Sequence, residues 1–297
     1  MLFSRVLFPT DFSSYADAVL ACLPDLKTAG LQEVVLLHVI RAGDVPMPET
    51  VNQESLDLAR WSAEQRLTVA RMALEGRGIK ASSAVEYGSP VEQIVRVAKE
   101  QNVGAIVIGA QGRTVAQELL LGSTAFEVVR RAPVPVLIEK FEVLRGSAGV
   151  TCKQLCQNMF ERVLHPTDFS QYASAAFAVV KDLASAGARE AILLHVQDRR
   201  AMEHRSPEQL AAFDEEDMAR LDNLAKELEA LGVNTKSIVR HGVPFQETLK
   251  VADEENVGII VLGSLGRSAV QELLGGSTFE NVIRLSKRPV LVVRQPS

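Results

Sequence analysis

The hydrophobic pattern of this chain alternates between short apolar runs and longer segments with apolar residues at helical spacing. The apolar runs at 5–8, 34–39, 105–108 and 134–138 predict β-strands, and 79–87 is predicted to form the third strand. Helical spacing at 13–29 and 123–131, and a long polar segment after the second run, predict helices. Ser89 and Ser206, each followed by proline and an acidic or amide side chain, are typical helix starts.

Strands separated by helices predict a parallel, doubly wound sheet with helices on both faces, because parallel neighbours need a crossover. The same order of elements occurs twice. Residues 3–14 match 160–171 at nine of twelve positions, and 109–124 match 263–278 at ten of sixteen. The chain is therefore predicted to hold two tandem α/β domains, each a five-stranded Rossmann-like parallel sheet, related by a pseudo-twofold. We predict domains at 1–143 and 160–297 and a linker at 144–159.

Composition narrows the class of protein. A length of 297 residues suits about two domains. A net charge of −5 argues against a surface built to neutralise nucleic acid or an anionic membrane. No apolar run approaches the ~18 residues of a membrane span, and the first residues lack a signal-peptide layout, so we expect a soluble cytoplasmic protein. Three cysteines are too few for a disulfide framework.

Candidate chemistry lies where the strands end, since doubly wound sheets bind ligands beyond their carboxyl ends where the strand order reverses. Directly after the first strand of each copy come Pro9, Thr10 and Asp11, and Pro166, Thr167 and Asp168. After the fourth strand comes a glycine loop, Gly109-x2-Gly112-x9-Gly122-Ser123, repeated as Gly263-x2-Gly266-x9-Gly276-Ser277. Glycines at such a turn let backbone N–H groups approach a phosphate, and the following helix adds its positive end.

Plainer interpretations of these residues stay open. Glycines after a strand also serve turns, although two identical spacings favour a binding loop. Asp11 and Asp168 could be helix caps or hydrogen-bond a ligand. Arg113 and Arg267 could contact phosphate or stay solvated. His38 and His195 lie in apolar strands and are interpreted as core histidines, and no group of side chains has the spacing of a metal site.

These motifs together resemble the universal stress protein family in its tandem two-domain form. The resemblance implies the subclass that binds an adenine nucleotide, ATP or AMP, with Mg²⁺ as a companion of ATP. It implies that Asp11, Asp168, Val39 and Val196 hold the adenosine end. It implies that the loop glycines, Ser123 and Ser277 hold ribose and phosphates, with Thr124 and Thr278 beside them.

The two copies differ within this pattern. Family loops often read Gly-Ser-x-Gly; the second copy has Ser264, but the first has Ala110. Leu121 stands against Gly275 immediately before the third loop glycine. We therefore expect two competent but unequal sites, the second being the stronger.

The sequence favours binding over catalysis. The loop lacks the lysine of a Walker A motif, and no general base is evident, so we assign no catalytic residue and expect at most slow hydrolysis. A slow ATPase, a nucleotide-free interaction protein and, more remotely, a flavin carrier remain alternatives. The last strand of each copy is an apolar run, and an exposed edge strand of this kind favours pairing with another strand. In the family that the chain resembles, this edge pairs two single-domain chains. We therefore expect the two halves to pair with each other and a homodimer to be accessible.

Overall fold

The structure is a computed structural model that describes residues 1–41, 53–110, 121–140, 142–146, 149–153, 158–198, 206–264 and 278–294. The chain divides into two compact units, Met1–Gln154 and Leu155–Ser297. The first unit contains β1 Arg5–Pro9, α1 Ser14–Cys22, a 3-10 helix at Leu23–Ala29, β2 Glu33–Ile40, α2 Gln53–Glu75, β3 Lys80–Tyr87, α3 Pro90–Glu100, β4 Ala105–Gly109, α4 Ser123–Arg131, β5 Val136–Glu139, β6 Glu142–Gly146 and β7 Gly149–Lys153.

The second unit repeats the order of the first. It contains β8 Arg162–Pro166, α5 Gln171–Ala184, β9 Glu190–Asp198, α6 Pro207–Glu229, β10 Asn234–Gly242, α7 Pro244–Glu254, β11 Ile259–Gly263, α8 Thr278–Leu285 and β12 Val290–Val293.

Each unit is built on a five-stranded parallel sheet, in the order β3-β2-β1-β4-β5 in the first and β10-β9-β8-β11-β12 in the second. The α/β fold predicted for both halves is confirmed. In the first unit the chain moves outward from β1 to β3 and then returns to the other side of β1 with β4. The strand order therefore reverses between β1 and β4, and in the second unit between β8 and β11.

The central strands are apolar over most of their length because helices cover both faces of the sheet. Val6 and Leu7 of β1 and Ile106 and Val107 of β4 have no exposed surface. A strand buried on both faces cannot alternate polar and apolar residues, which is why these segments read as continuous runs.

Local signals set the helix ends, with two differences from expectation. The capping box at Ser206 is confirmed: its Oγ accepts from the Gln209 N–H, and its own N–H donates to Gln209 Oε1 at 3.1 Å. Ser89 precedes α3 as expected, but its side chain makes no capping bond. The helix predicted at 13–29 is α-helical only to Cys22 and continues as a 3-10 helix, because the ring and missing N–H of Pro24 disfavour the α-helical pattern there.

The predicted linker at 144–159 carries regular structure. The antiparallel strands β6 and β7 pair from Glu142 with Lys153 to Gly146 with Gly149. Met159, at the end of the predicted linker, is buried.

Cys22 is buried and disulfide-bonded. No helix in the described ranges combines the length and apolar character of a membrane span.

Candidate functional site

The two motifs predicted to meet are neighbours at the carboxyl edge of the sheet. β1 and β4 pair in parallel up to Leu7 opposite Ile106, and beyond that pair the Thr10 N–H bonds to β2 and the Ala110 N–H bonds to β5. The turn after β1 and the start of the glycine loop therefore lie on either side of the point where the two strands part. In the second unit the pairing of β8 with β11 likewise ends at Leu164 opposite Ile260, and the Thr167 and Ser264 N–H groups bond to β9 and β12.

The turn after β1 is held by its own side chains. The Thr10 hydroxyl accepts a hydrogen bond from the Phe12 N–H, and the Asp11 carboxylate accepts one from the Ser13 N–H, both at 3.0 Å. Ser13, whose Oγ accepts from the Ala16 N–H, is the N-cap of α1. The helix-cap interpretation of Asp11 is therefore wrong in detail, because the carboxylate binds the capping residue and is not itself the cap.

The second copy of this turn has the same geometry. The Thr167 hydroxyl accepts from the Phe169 N–H and the Asp168 carboxylate from the Ser170 N–H, again at 3.0 Å. Ser170 caps α5. The same hydrogen bonds form in both halves, so the two turns share their conformation as well as their sequence.

Each turn contains a phenylalanine in the left-handed backbone region, with φ of 59° at both Phe12 and Phe169. A bulky residue is unfavourable there by about 1–2 kcal/mol. Such a conformation persists where surrounding contacts enforce it, and in proteins it is concentrated at functional sites.

The enforcing contacts are an arginine and a histidine packed on the phenylalanine. The Phe12 ring stacks on His38 at 4.3 Å between centroids, and the Arg66 guanidinium lies 4.1 Å from the same ring. Arg66 also donates to the Phe12 carbonyl at 3.1 Å, and His38 Nδ1 donates to the Thr10 carbonyl at 2.8 Å. His38 thus acts as a buried structural histidine, as the sequence indicated.

The second half repeats this arrangement. The Phe169 ring lies 4.7 Å from His195 and 3.8 Å from the Arg220 guanidinium, and His195 Nδ1 donates to the Thr167 carbonyl. Sequence reasoning missed the phenylalanines and arginines. One signal could have found Arg66 and Arg220, because they are 154 residues apart, the offset that relates the two glycine loops.

A polar cluster distinguishes the second site. Asp217 Oδ2 accepts from Gln197 Nε2 at 2.8 Å and lies 3.4 Å from His195 Nε2. At the matching positions the first half has Ala63 and Ile40, both buried. The second site therefore carries a carboxylate where the first has only methyl groups.

The valines predicted to hold adenosine lie one strand further out. Val39 is buried near the end of β2, opposite Glu86 of β3, and Val196 holds the same place in β9, opposite Arg240 of β10. Each valine therefore lies near the carboxyl end of the strand that neighbours β1 or β8.

The structure requires a glycine at some positions of the loop but not at others. A Cβ on Gly109 would lie 2.8 Å from the Tyr15 ring, and one on Gly263 would lie 2.7 Å from the Tyr172 backbone. These two glycines are required by packing. Among the described residues, a Cβ on Gly122 would meet only the Ala110 carbonyl, at an ordinary 3.6 Å, and Gly122 has an ordinary φ of −62°. Neither the backbone conformation nor packing against the described residues explains a glycine at this position.

Gly122 also joins the end of the glycine loop to its start. Its N–H donates to the Ala110 carbonyl at 2.7 Å, and it is the N-cap of α4, which begins at Ser123. Thr124 is in the first turn of α4, and Thr278 begins α8. The remaining predicted loop residues, Gly112, Arg113, Gly266, Arg267, Gly276 and Ser277, lie outside the described residues.

A buried hydroxyl marks the second site. Ser264 follows β11 and is 5% exposed, yet its Oγ has no hydrogen-bond partner within the part of the chain that the structure describes. An unpaired buried hydroxyl is unfavourable and is common where a ligand supplies the partner. Ala110, its counterpart, is an apolar buried residue.

Two buried ionisable residues near the first site escaped sequence reasoning. Glu139 ends β5 opposite Gly109, and burial, followed by the charge of Asp25, raises its pKa to about 8. Burial also lowers the pKa of Lys140 to about 8. The described residues contain no group of three or more side chains placed to bind a metal ion.

Comparison with known proteins agrees with this architecture. Residues 2–140 and 159–294 each match the model of the Universal stress protein family. Universal stress protein MJ0577 of Methanocaldococcus jannaschii is 37% identical over 156 residues, covering 46% of this chain and 96% of that protein. Universal stress protein Rv2005c of Mycobacterium tuberculosis is 26% identical over 270 residues, covering 88% of this chain and 87% of that protein.

A solved structure matches over both halves. The crystal structure of a universal stress protein from Archaeoglobus fulgidus superimposes with a TM-score of 0.76 and 27% identity, covering 99% of each chain. The chain belongs to the universal stress protein family, with two copies of the family domain in tandem.

Proposed function

We propose that each half binds an adenine nucleotide, ATP or AMP, at the carboxyl edge between its first and fourth strands, and that the bound nucleotide biases conformation or partner binding. The observation that carries the proposal is the glycine at position 122, at the carboxyl edge, for which the described residues give no packing reason and the backbone gives no conformational reason. A residue without a Cβ at a helix N-terminus lets the phosphates of a ligand approach the backbone amides closely.

The surrounding groups suit such a ligand. Ser123 opens α4, so the first free N–H groups of that helix, with their partial positive charge, face the end of the loop. In the second half the unpaired Ser264 hydroxyl is a further donor for a phosphate or ribose oxygen. The proposed contact residues are Pro9, Thr10, Asp11, Val39, Gly109, Gly112, Arg113, Gly122, Ser123 and Thr124 in the first site, and Pro166, Thr167, Asp168, Val196, Gly263, Gly266, Arg267, Gly276, Ser277 and Thr278 in the second.

The proposal is one of binding and not of catalysis. Amide donors fixed in the ground state hold a phosphate chain but do not by themselves lower the barrier to its hydrolysis. Pairing of the two halves through their last strands belongs to the same proposal, and a cytoplasmic location stays a prediction.

Purified protein is expected to carry or take up adenine nucleotide at two sites per chain. Mass spectrometry of the small molecules released on denaturation identifies the nucleotide. A ligand at a hundredfold excess over its dissociation constant adds about 2.7 kcal/mol per site to the free energy of unfolding, so ATP or AMP should raise the melting temperature and GTP should do so less. No released nucleotide and no thermal shift would contradict the proposal.

The two sites are expected to bind unequally, because Ser264 offers a hydroxyl that Ala110 lacks. Calorimetry should resolve two affinities, and Ser264→Ala should weaken the tighter one by about tenfold, the equivalent of one hydrogen bond to a charged group. Ala110→Ser is the matched variant and should strengthen the weaker site. Two identical affinities in the parent protein would count against the inequality.

A further inference from the structure

The long helix α2 presents an apolar stripe to solvent on the side opposite its buried face. The buried face is formed by Ala63, Leu67 and Leu74. Four large apolar side chains on the other side are 60–69% exposed, with Gln65 between them. The stripe consists of Leu58, Trp61, Gln65, Val69 and Met72.

The stripe is one continuous surface. At about 100° per residue its five positions fall within an arc of about 80°, centred nearly opposite Leu67. A helix that is apolar on two opposite faces is typical of a helix covered on both sides. Other large apolar side chains exposed in the described residues, such as Leu231 and Leu285, do not form a second stripe with this spacing.

The fold does not require the stripe, as the internal repeat shows. The matching helix α6 has exposed small, charged or polar residues at all five positions. They are Ala212, Glu215, Ala219, Asn223 and Lys226. The same architecture is therefore built without an apolar outer face, so the stripe on α2 serves something other than folding.

The spacing of the stripe is symmetric about Gln65. Going outward in either direction, the next apolar residues come after four positions and then after three. An antiparallel copy related by a two-fold axis through Gln65 would place Trp61 against Val69 and Leu58 against Met72. A surface that is complementary to itself in this way forms a closed, isologous dimer.

The charges beside the stripe do not demand a charged partner. Arg60 pairs with Glu64 and Arg71 with Glu75, each at 2.9 Å along the same helix. The remaining exposed acids on this side of the helix are Glu54 and Asp57. A two-fold axis at Gln65 would place them opposite Gly76 and Ala73, so a second copy meets no like charge there. We propose that the α2 stripe is a homodimer interface, in which two copies of this chain pack α2 antiparallel across a two-fold axis at Gln65.

The dimer is expected to be weak and dependent on concentration. A stable interface buries about 800 Å² per partner, whereas a fully covered indole contributes at most about 250 Å². The four apolar side chains of the stripe therefore bury no more than the low end of what stable dimers bury. We expect a dissociation constant of roughly micromolar order.

The chain contains its own reporter, because Trp61 is its single tryptophan. Its indole is 60% exposed in one copy, and burial in the dimer shifts its emission to shorter wavelength. Emission spectra and sedimentation velocity, measured together from about 0.1 to 500 µM chain, should show the blue shift and the doubling of mass at the same concentrations.

Two matched pairs of variants test the geometry. Val69→Asn/Met72→Lys copies the α6 residues into α2 and should abolish both changes, whereas Asn223→Ala/Lys226→Ala in α6 should leave them intact. Gln65→Cys, on the proposed axis, should form a disulfide-linked dimer under mild oxidation to a much greater extent than Ala219→Cys or the parent protein.

Three results would overturn the proposal. The first is a monomer over the whole concentration range. The second is a dimer whose Trp61 emission does not shift or which persists in Val69→Asn/Met72→Lys, because it would use another surface. The third is a blue-shifted dimer without the Gln65→Cys cross-link, which would exclude the two-fold axis.

Discussion

Gly122→Ser and Gly122→Val are each expected to weaken nucleotide binding at the first site by at least about tenfold, equivalent to 1.4 kcal/mol. A Cβ at this position meets none of the described residues closer than 3.6 Å, so we expect the fold to accommodate it. The proposed phosphate would not, because the Cβ would occupy the space through which it reaches the backbone amides at about 2.9 Å.

The two substitutions separate a role in binding from a role in the helix. Gly122 is the N-cap of α4, where serine is more favourable than glycine by a few tenths of a kcal/mol and valine is less favourable. Gly122→Ser should therefore keep or raise the melting temperature while it lowers affinity. Valine should lower affinity and slightly lower stability.

Calorimetry gives the result directly, because the second half is an internal reference. At a nucleotide concentration that just fills both sites of the parent protein, the substitution at position 122 should reduce the number of filled sites from two to one, and Gly276→Ser should affect the other site. Unchanged affinity in both Gly122 variants would show that the glycine serves only the turn, and the proposal would lose its main support.

Relative to the parent protein, Glu139→Gln is expected to become steadily more stable as the pH rises from about 5 to about 8. Burial raises the pKa of Glu139 from 4.5 to about 8, so the folded protein holds a proton that the unfolded chain releases within this window. The contribution of Glu139 to the free energy of unfolding should therefore fall as the pH rises from 4.5 to 8, whereas that of His165, whose pKa burial lowers to about 4, rises over part of the same range in both proteins and cancels in the comparison. Each unit of pKa shift corresponds to 1.36 kcal/mol, which sets an upper limit of about 4 kcal/mol for the fall.

Denaturant unfolding at several pH values measures this effect. Glutamine keeps the shape of the protonated acid and has no charge to bury, so the variant should be the more stable protein at about pH 8 and nearly equal to the parent at about pH 5. The measurement stops at pH 8 because Lys140, whose pKa is lowered to about 8, has the opposite effect at higher pH.

Glu75→Gln is the control for this experiment. Glu75 is 42% exposed and pairs with Arg71, so its loss should change stability by less than about 1 kcal/mol and leave the pH profile unchanged. A difference in the free energy of unfolding between Glu139→Gln and the parent protein that stays constant between these pH values would refute the account of Glu139.

The placement of the candidate site followed from the sequence because it depends on strand order. Residues directly after two neighbouring parallel strands must meet, so Asp11 and Gly109 could be placed together without coordinates. The sequence could not say that Gly109 is needed to clear Tyr15 while Gly122 is not, because that distinction depends on α1, which packs from a distant part of the chain.

The contacts around each turn could not be predicted from the sequence for the same reason. Nothing local marks Phe12 as a residue held in the left-handed region, since the contacts that enforce it come from His38 on β2 and Arg66 on α2. Likewise, a glutamate at the end of an apolar run gives no sign that Glu139 is almost fully buried.

The sequence by itself determined the alternation of strands and helices, the duplication and the edge where a ligand would bind. These properties are written in the periodicity and spacing of neighbouring residues, which each element expresses locally. The tertiary structure alone decided which side of α2 faces the sheet and which faces water, which glycines are packed and which acid is buried. Those properties depend on surfaces brought together from distant parts of the chain, and no local pattern records them.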